Sequence, residues 1–345
     1  MMASGPRAGG GPASGPRVLV IGASGFLGAH VRDRACVAGL DVVTAGRREL
    51  PDSRSHCRVD LSTEDPARLA ATLAAVSPDA VVNCAGSTGA DVSELAAANV
   101  TGTAVLVRAM RMTGRLIRLV HLGSAAEYGP SEPGTAVAES APARPAGAYG
   151  ATKLAGTLLV ELGRATGLDA VVLRVFNPVG PGAPDTILPG RVVAELRRAL
   201  TGGPAASLGR LDAVRDFVDA RDVADAAIAA VQAPALPGGV INIGSGAGVP
   251  VRTLVKDLVA ISGYDGPVRE DADGSPRSTA PRSTAPWSGA QWSRAQWSGA
   301  PWSGALSWQQ ADIGRARRDL GWEPRHDLRT SLADLWEDCR APGPG

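Results

Sequence analysis

The chain has 345 residues and a formal net charge of +1, long enough for one large α/β domain or a large domain with a smaller one. Its basic residues are not clustered, which leaves no electrostatic footprint for a nucleic acid or a membrane surface. The four cysteines (Cys36, Cys57, Cys84, Cys339) form no CxxC pair and share no histidine at metal-ligand spacing, so no metal site is expected. Three of them stand in apolar or helical contexts and read as small packed side chains, in keeping with a reducing, cytoplasmic compartment. No apolar run approaches the roughly 18 residues of a membrane span. The opening MMASGPRAGGGPASGPR lacks the apolar core of a signal peptide, and residues 1–16 are expected to be a disordered tail.

From Arg17 the pattern changes. Val18-Leu19-Val20-Ile21 reads as a buried parallel strand. It runs into Gly22-Ala23-Ser24-Gly25-Phe26-Leu27-Gly28, and a helix follows through Val31 to Ala38. Strand, glycine turn and helix in this order are the context of a dinucleotide-binding turn. Gly22 permits the tight turn, Gly25 lets the backbone approach a pyrophosphate, and Gly28 allows close packing of helix on strand. A second strand, Asp41 to Ala45, ends in Gly46-Arg47-Arg48. An NAD site places a carboxylate there, about 20 residues beyond the glycines, to hold the ribose hydroxyls. Two arginines stand there instead, which fits the extra phosphate of NADP.

Asp60-Leu61, a helix from Pro66 to Val76 and a third strand, Ala80 to Cys84, come next, and that strand opens into the small residues Ala85-Gly86. Another helix contains Asn99, and a strand from Leu116 to Leu122 delivers Gly123-Ser124-Ala125-Ala126-Glu127-Tyr128-Gly129. Strands and helices alternating at this spacing predict a doubly wound parallel sheet, whose ligands bind at the carboxyl ends of strands. Tyr149 and Lys153 follow on a helix, one turn apart on the same face. An ammonium near a phenol favours the phenolate, so Lys153 is expected to draw the Tyr149 pKa down from about 10. A general acid or base that handles the proton of a hydroxyl needs that property.

The set GASGFLG, DL, NCAG, NVTGT, HLGSAAEYG, YGATK, RVFNPVGPG, RDFVDARDVADA, INIGSG and LGWEP resembles the extended short-chain dehydrogenase/reductases, and within them the nucleotide-sugar epimerase, dehydratase and reductase group. The resemblance covers residues 17–268 and again about 311–338. It implies that Tyr149 is the catalytic acid/base, that Lys153 assists it and holds the nicotinamide ribose, and that Ser124 hydrogen-bonds the reacting oxygen. Asn99 takes the structural or relay position. Gly22, Gly25 and Gly28, with Ser24, Phe26 and Leu27 of the same turn, wrap the cofactor, and Asp60 and Leu61 flank the adenine; the small residues Ala85 and Gly86 at the end of their strand leave room for the cofactor. Dehydratase members carry an acidic pair after the catalytic serine. Here Ala125 and Ala126 occupy those places, and alanine cannot transfer a proton. Glu127, next in the chain, is expected to point into solvent.

Farther on, a strand from Val171 to Phe176 ends at Asn177, which in the family covers the sugar nucleotide. The segment GRLDAVRDFVDARDV is similar to that of GDP-4-keto-6-deoxymannose reductases, and Arg215 within it is the candidate for a substrate diphosphate, with a salt bridge to Asp216 or Asp219 as the alternative. Asp222 is expected to cap a helix from Val223 to Val231. A strand from Val240 to Gly244 and an amphipathic helix from Val251 to Ile261 follow. Residues 277–306 read RSTAP RSTAP WSGAQ WSRAQ WSGAP WSGAL, and with Ser307 and Trp308 they are expected to be an inert low-complexity insertion. His30, His56, His121 and His326 share no context and are assigned no chemistry.

The sequence therefore predicts a Rossmann-type doubly wound α/β domain over 17–175, with later segments returning to it, and a mainly substrate-binding region over 176–345. The expected activity is NADPH-dependent reduction of a 4-keto nucleotide deoxysugar. The alternatives are a nucleotide-sugar 4-epimerase with tightly bound NAD, since SAAEYG and RVFNPVG are equally like those of UDP-glucose 4-epimerases, or a catalytically silent NAD(P) sensor. A homodimer paired through the YxxxK helix is expected by analogy.

Overall fold

The computed structural model describes residues 15–50, 55–89, 91–236, 238–270 and 308–339. The chain begins with β1 (Arg17–Ile21), α1 (Phe26–Val37), β2 (Asp41–Gly46), β3 (His56–Arg58), α2 (Pro66–Val76) and β4 (Ala80–Asn83). It continues through α3 (Val92–Leu95), a π-helical stretch (Ala96–Thr101), α4 (Gly102–Met112), β5 (Arg118–Ser124), a 3-10 turn (Ala125–Glu127), β6 (Ala136–Val137) and α5 (Ala148–Ala165). Then come β7 (Ala170–Val175), β8 (Pro178–Val179), α6 (Leu188–Leu200), β9 (Ser207–Leu208), β10 (Val214–Arg215) and β11 (Val218–Asp219). The remainder is α7 (Ala220–Gln232), β12 (Val240–Ile243), β13 (Val249–Pro250), α8 (Val251–Ser262), β14 (Arg269–Glu270), β15 (Trp308–Ala311), α9 (Gly314–Leu320) and α10 (Leu328–Asp338).

Apolar β-branched strands buried on both faces belong in a parallel sheet covered by helices. Seven parallel strands form it in the order β12-β7-β5-β4-β1-β2-β3. Strand order reverses between β1 and β4, so the ends of these two strands open the crevice where ligands of such sheets bind. Val18, Val20, Val82 and Val120 pack with α1 and α7 on one face, and Leu19, Ile21, Val81 and Leu119 pack with α2, α4 and α5 on the other. A further core gathers α6, α8 and α10 around Val192, Leu196, Leu254, Leu258 and Trp336. A small cluster of Ala125, Tyr128, Phe176 and Ala311 fills the space beneath the end of β5.

Several expectations change. The strand β3, three residues long and polar, adds an element between β2 and α2 that no apolar pattern predicts. Cys36 is exposed and the other three cysteines are only partly buried, all four of them free. Residues 1–14 of the expected tail lie outside the described residues, while Pro16 already accepts a hydrogen bond from the Asp41 N–H at 3.1 Å. Residues 277–307 likewise lie outside them, whereas Trp308, counted with the insertion, starts β15 and pairs with Val214. Among the described residues no helix is long and apolar enough to cross a membrane, and no metal-binding cluster occurs.

Asp222 does not cap α7. Asp219 does, accepting from the Arg221 N–H at 2.7 Å. The helix therefore starts three residues earlier than its apolar pattern suggests, and Asp222 falls inside its first turn. There it is fully buried and accepts from the Arg325 N–H, the His326 N–H and His326 Nδ1 at 3.1, 3.0 and 2.8 Å. Its carbonyl takes the Trp322 indole N–H at 2.9 Å. This one carboxylate fastens the segment before α10 to the sheet-covering α7. Asp222→Ala is expected to cost about 3 kcal/mol, because buried donors lose their acceptor; a lower urea midpoint at unchanged slope would register it.

Candidate active site

At the end of β1 the chain turns on Gly22, which has φ +80°, a region that favours glycine. A Cβ on Gly28 would sit 2.0 Å from the Gly22 carbonyl oxygen, and one on Gly22 would sit 2.8 Å from the Ala85 nitrogen. Helix α1 therefore packs directly on the turn. Its N-cap is Gly25, with no capping side chain, so its first N–H groups are available to an anion. Ser24 and Gly25 are exposed, and Phe26 and Leu27 are partly buried. These are features that a pyrophosphate-binding turn requires.

Around the crevice, Arg47 and Arg48 are exposed where β2 ends. Asp60 accepts from the Ser62 N–H and hydroxyl at 3.1 and 2.6 Å, which fixes the turn. Leu61 is buried in the core, and a Cβ on Gly102 would stand 3.0 Å from its own Cβ. A Cβ on Gly86 would lie 2.9 Å from Asn99 Oδ1 and 3.9 Å from Lys153 Nζ, so glycine keeps this wall open. Asn99 sits in the π-helical stretch, a distortion common at functional sites. Its amide accepts from the Ser87 N–H at 2.9 Å and donates to the Ser87 carbonyl and Thr152 Oγ1 at 3.0 and 3.1 Å. It thereby ties the loop after β4 to α5, a structural task.

Ser124 ends β5 and caps the 3-10 turn, its hydroxyl accepting from the Ala126 N–H at 3.2 Å. Tyr149 on α5 hydrogen-bonds it there, and Lys153 lies one turn further along the same helix. Lys153 is buried and donates to the Leu122 carbonyl at 2.6 Å. Burial holds the ammonium below its usual pKa, with Glu127 and Cys84 opposing. Burial likewise pushes Tyr149 up; a hydrogen bond with Ser124 pulls it down, and the negative charge of Glu127 adds to the rise. The expected downward shift of Tyr149 does not occur: desolvation of the phenolate outweighs it, and Lys153 spends a hydrogen bond on the backbone of β5. Nearby, burial pushes Cys84 up to about 12. His121, buried and 3.1 Å from the Asn83 side-chain amide, is held neutral by burial and by Lys153.

Residues 18–244 match the NAD dependent epimerase/dehydratase family. The chain belongs to that family. A dTDP-6-deoxy-L-talose 4-dehydrogenase (NAD(P)(+)) of Kitasatospora kifunensis is 37% identical over 93% of this chain and 94% of its own length. A UDP-glucose 4-epimerase of Azospirillum brasilense is 29% identical over 94% of this chain and 93% of its own. The solved structure of MoeE5 in complex with UDP-glucose and NAD aligns with a TM-score of 0.75 at 27% identity, covering 94% of this chain and 98% of that one. The protein is thus an NAD(P)-dependent enzyme of the extended short-chain dehydrogenase/reductases, with the Rossmann-type sheet that its sequence predicts.

In this enzyme Glu127 corrects an expectation. It is not solvated but wholly buried. One carboxylate oxygen accepts from the Ser124 N–H at 2.7 Å; the other accepts from Thr157 Oγ1 at 2.9 Å and from Arg174 Nε and Nη2 at 3.0 and 2.8 Å. The spacing Ser-x-x-Glu is that of a capping box, the one local signal in the sequence that points to this inward turn. Arg215 is also buried, and desolvation pushes its guanidinium down to about 10. The carboxylates of the alternative salt bridge are engaged elsewhere: Asp216 receives the backbone of Ser245, Gly246 and Ala311, and Asp219 receives Arg221 and Ser331. Asn177 turns its amide to the Asp216 carbonyl and to Gln309 at 2.8 and 3.3 Å. Gln309 in turn donates to the Ala125 carbonyl at 2.9 Å. It follows directly on the repeats, where no pattern marks it.

Proposed function

We propose that the enzyme reduces the 4-keto group of a nucleotide-linked deoxysugar with NADPH. The observation that carries the reading is the hydrogen bond between Ser124 and Tyr149, with alanine at both 125 and 126. When bound, NADPH supplies the hydride to the carbonyl carbon. Tyr149 gives its proton to the oxygen, Ser124 orients that oxygen, and Lys153 faces the resulting phenolate. A proton from solvent then restores Tyr149. Ala125 and Ala126 offer no second acid or base, which argues against elimination of water. The 37% identical relative bears the name of a 4-dehydrogenase of a deoxysugar nucleotide, the same chemistry read in the other direction. Arg215, still charged at neutral pH although burial lowers its pKa to about 10, would suit a substrate diphosphate, and Asn177 is placed next to that segment.

The second reading is a 4-epimerase, which the 29% identical UDP-glucose 4-epimerase favours. Purified enzyme that carries stoichiometric, non-exchanging NAD and shows no NADPH oxidation with 4-keto sugars would decide for the epimerase. If the reductase reading holds, Tyr149→Phe lowers turnover about 100-fold or more with cofactor binding intact. Equal turnover by that variant would overturn the role given to Tyr149.

Arg47 and Arg48 support NADP as the preferred cofactor, because guanidinium groups can pair with a ribose phosphate. Replacing both with alanine is expected to lower kcat/KM for NADPH about tenfold, as charge-assisted hydrogen bonds are lost, and to leave NADH nearly unaffected. The homodimer is supported by Leu158 and Leu162, which are 59% and 63% exposed on α5, and by Met112, 50% exposed at the end of α4. Light scattering should give twice the chain mass, and Leu158→Glu with Leu162→Glu should return the single chain.

A further inference from the structure

Four hydrogen-bond donors from three elements converge on Glu127. The Ser124 N–H comes from the end of β5, Thr157 Oγ1 from α5, and the Arg174 guanidinium from β7. Thr157 lies one helical turn beyond Lys153 and two beyond Tyr149, so the carboxylate grips the helix that carries both. A Cβ on Gly123 would come within 2.8 Å of the carboxylate, so even the preceding strand residue is fitted to it. Arg174 has a second contact: its guanidinium stacks 4.2 Å over the Tyr128 ring, and the Tyr128 hydroxyl donates to Asn242 Oδ1 at 2.7 Å.

We propose that Glu127 is a positioning residue for the reaction, its carboxylate clamped by Arg174 and Thr157 so that Ser124 and the Tyr149 helix are held in register. The inference rests on the reading of Ser124 and Tyr149 as the proton-handling pair. The carboxylate also acts at a distance. Its negative charge disfavours the Tyr149 phenolate and favours the Lys153 ammonium. The other titratable groups around this cluster are Arg174 on β7, Tyr128 beside it with Glu139 behind, His121 on β5 and Cys84 after β4. Burial and Lys153 hold His121 neutral, and burial holds Cys84 protonated, so neither charges near neutrality.

Tyr149 must be protonated to donate, so reductive turnover falls as pH rises through its pKa. Glu127→Gln keeps the shape of the side chain and removes the charge, which moves that fall to lower pH. The loss of register is expected to lower kcat about tenfold or more, with KM for NADPH nearly unchanged. The same shift is read without any substrate by titrating tyrosinate absorbance in the full-length chain, with Tyr149→Phe as the reference that identifies the Tyr149 transition. Thr157→Val removes one bond from the carboxylate without leaving a charge unpaired; it should lower kcat several-fold at unchanged NADPH affinity even if Glu127→Gln fails to fold. Variants that lose only thermal stability, with the Tyr149 titration and kcat of the parent, would overturn the proposal. A parent enzyme inactive on every 4-keto sugar would instead sink the reductase reading, while the titration still decides the role of Glu127.

Discussion

A carboxylate sealed away from water must be matched, and the matching of Glu127 organises the end of the fold that carries Ser124 and Tyr149. Removing an ion from water costs several kcal/mol, and an unmet buried charge is strongly destabilising. The sequence meets that demand with Arg174 and Thr157, and with the Ser124 backbone. Each partner belongs to a different part of the sheet-and-helix frame, so the charge fixes the end of β5 relative to α5 and β7. Arg174 extends the tie to Tyr128 by stacking, and Tyr128 extends it to Asn242 in β12. Such a network specifies one arrangement because any other strands a charge or a donor.

A second buried carboxylate does comparable work beside Arg215. Asp216 accepts from the Ser245 N–H and hydroxyl, the Gly246 N–H and the Ala311 N–H, at 2.6, 2.7, 2.9 and 3.0 Å. Burial pushes its pKa up while these bonds pull it down, and the net direction is upward. Gly244 is needed for the fit, since a Cβ there would meet the Ala311 Cβ at 2.6 Å and Asp216 Oδ2 at 2.9 Å. The link between the two clusters is Gln309, which donates to Ala125 and accepts from Asn177, whose amide also reaches the Asp216 carbonyl. The serine turn and the Arg215 segment are therefore braced against each other through three side-chain amide contacts.

Much of this architecture is legible in the sequence because the signals are local. Val18 to Ile21 followed by Gly22, Gly25 and Gly28 can hardly be anything but a strand entering a tight turn and a helix, and α2 begins and ends where Pro66 and Val76 suggest. What stays hidden depends on partners distant in the chain. A charge just after a strand is usually solvated, and Arg174, which makes Glu127 the exception, lies 47 residues away. Asp222 resembles a cap from its neighbours alone, because its partners, Arg325 and His326, are about a hundred residues on. The direction of the Tyr149 shift is hidden for a related reason: helical spacing shows that Lys153 is near, but not that its ammonium is bonded to Leu122. Short strands such as β6, β8 and β10 carry no period of their own and exist only through their neighbours.

The upward direction at Tyr149 bears on the choice between the two reactions. A reductase needs its acid protonated at the start of every turnover, and a neutral reduced nicotinamide beside the phenol leaves the protein's own field to decide. Here burial and Glu127 both favour the proton. An epimerase starts from the opposite requirement: the tyrosine must first remove a proton from a hydroxyl, and the positive ring of the oxidised cofactor would have to supply what the protein withholds. Both enzymes could share Ser124, Tyr149 and Lys153, which is why those residues cannot separate them. The buried charge next to the serine is what differs in its consequences, since it assists donation and resists abstraction. The electrostatics of the Ser124 turn, and not only the residues it presents, therefore set how readily Tyr149 gives up its proton.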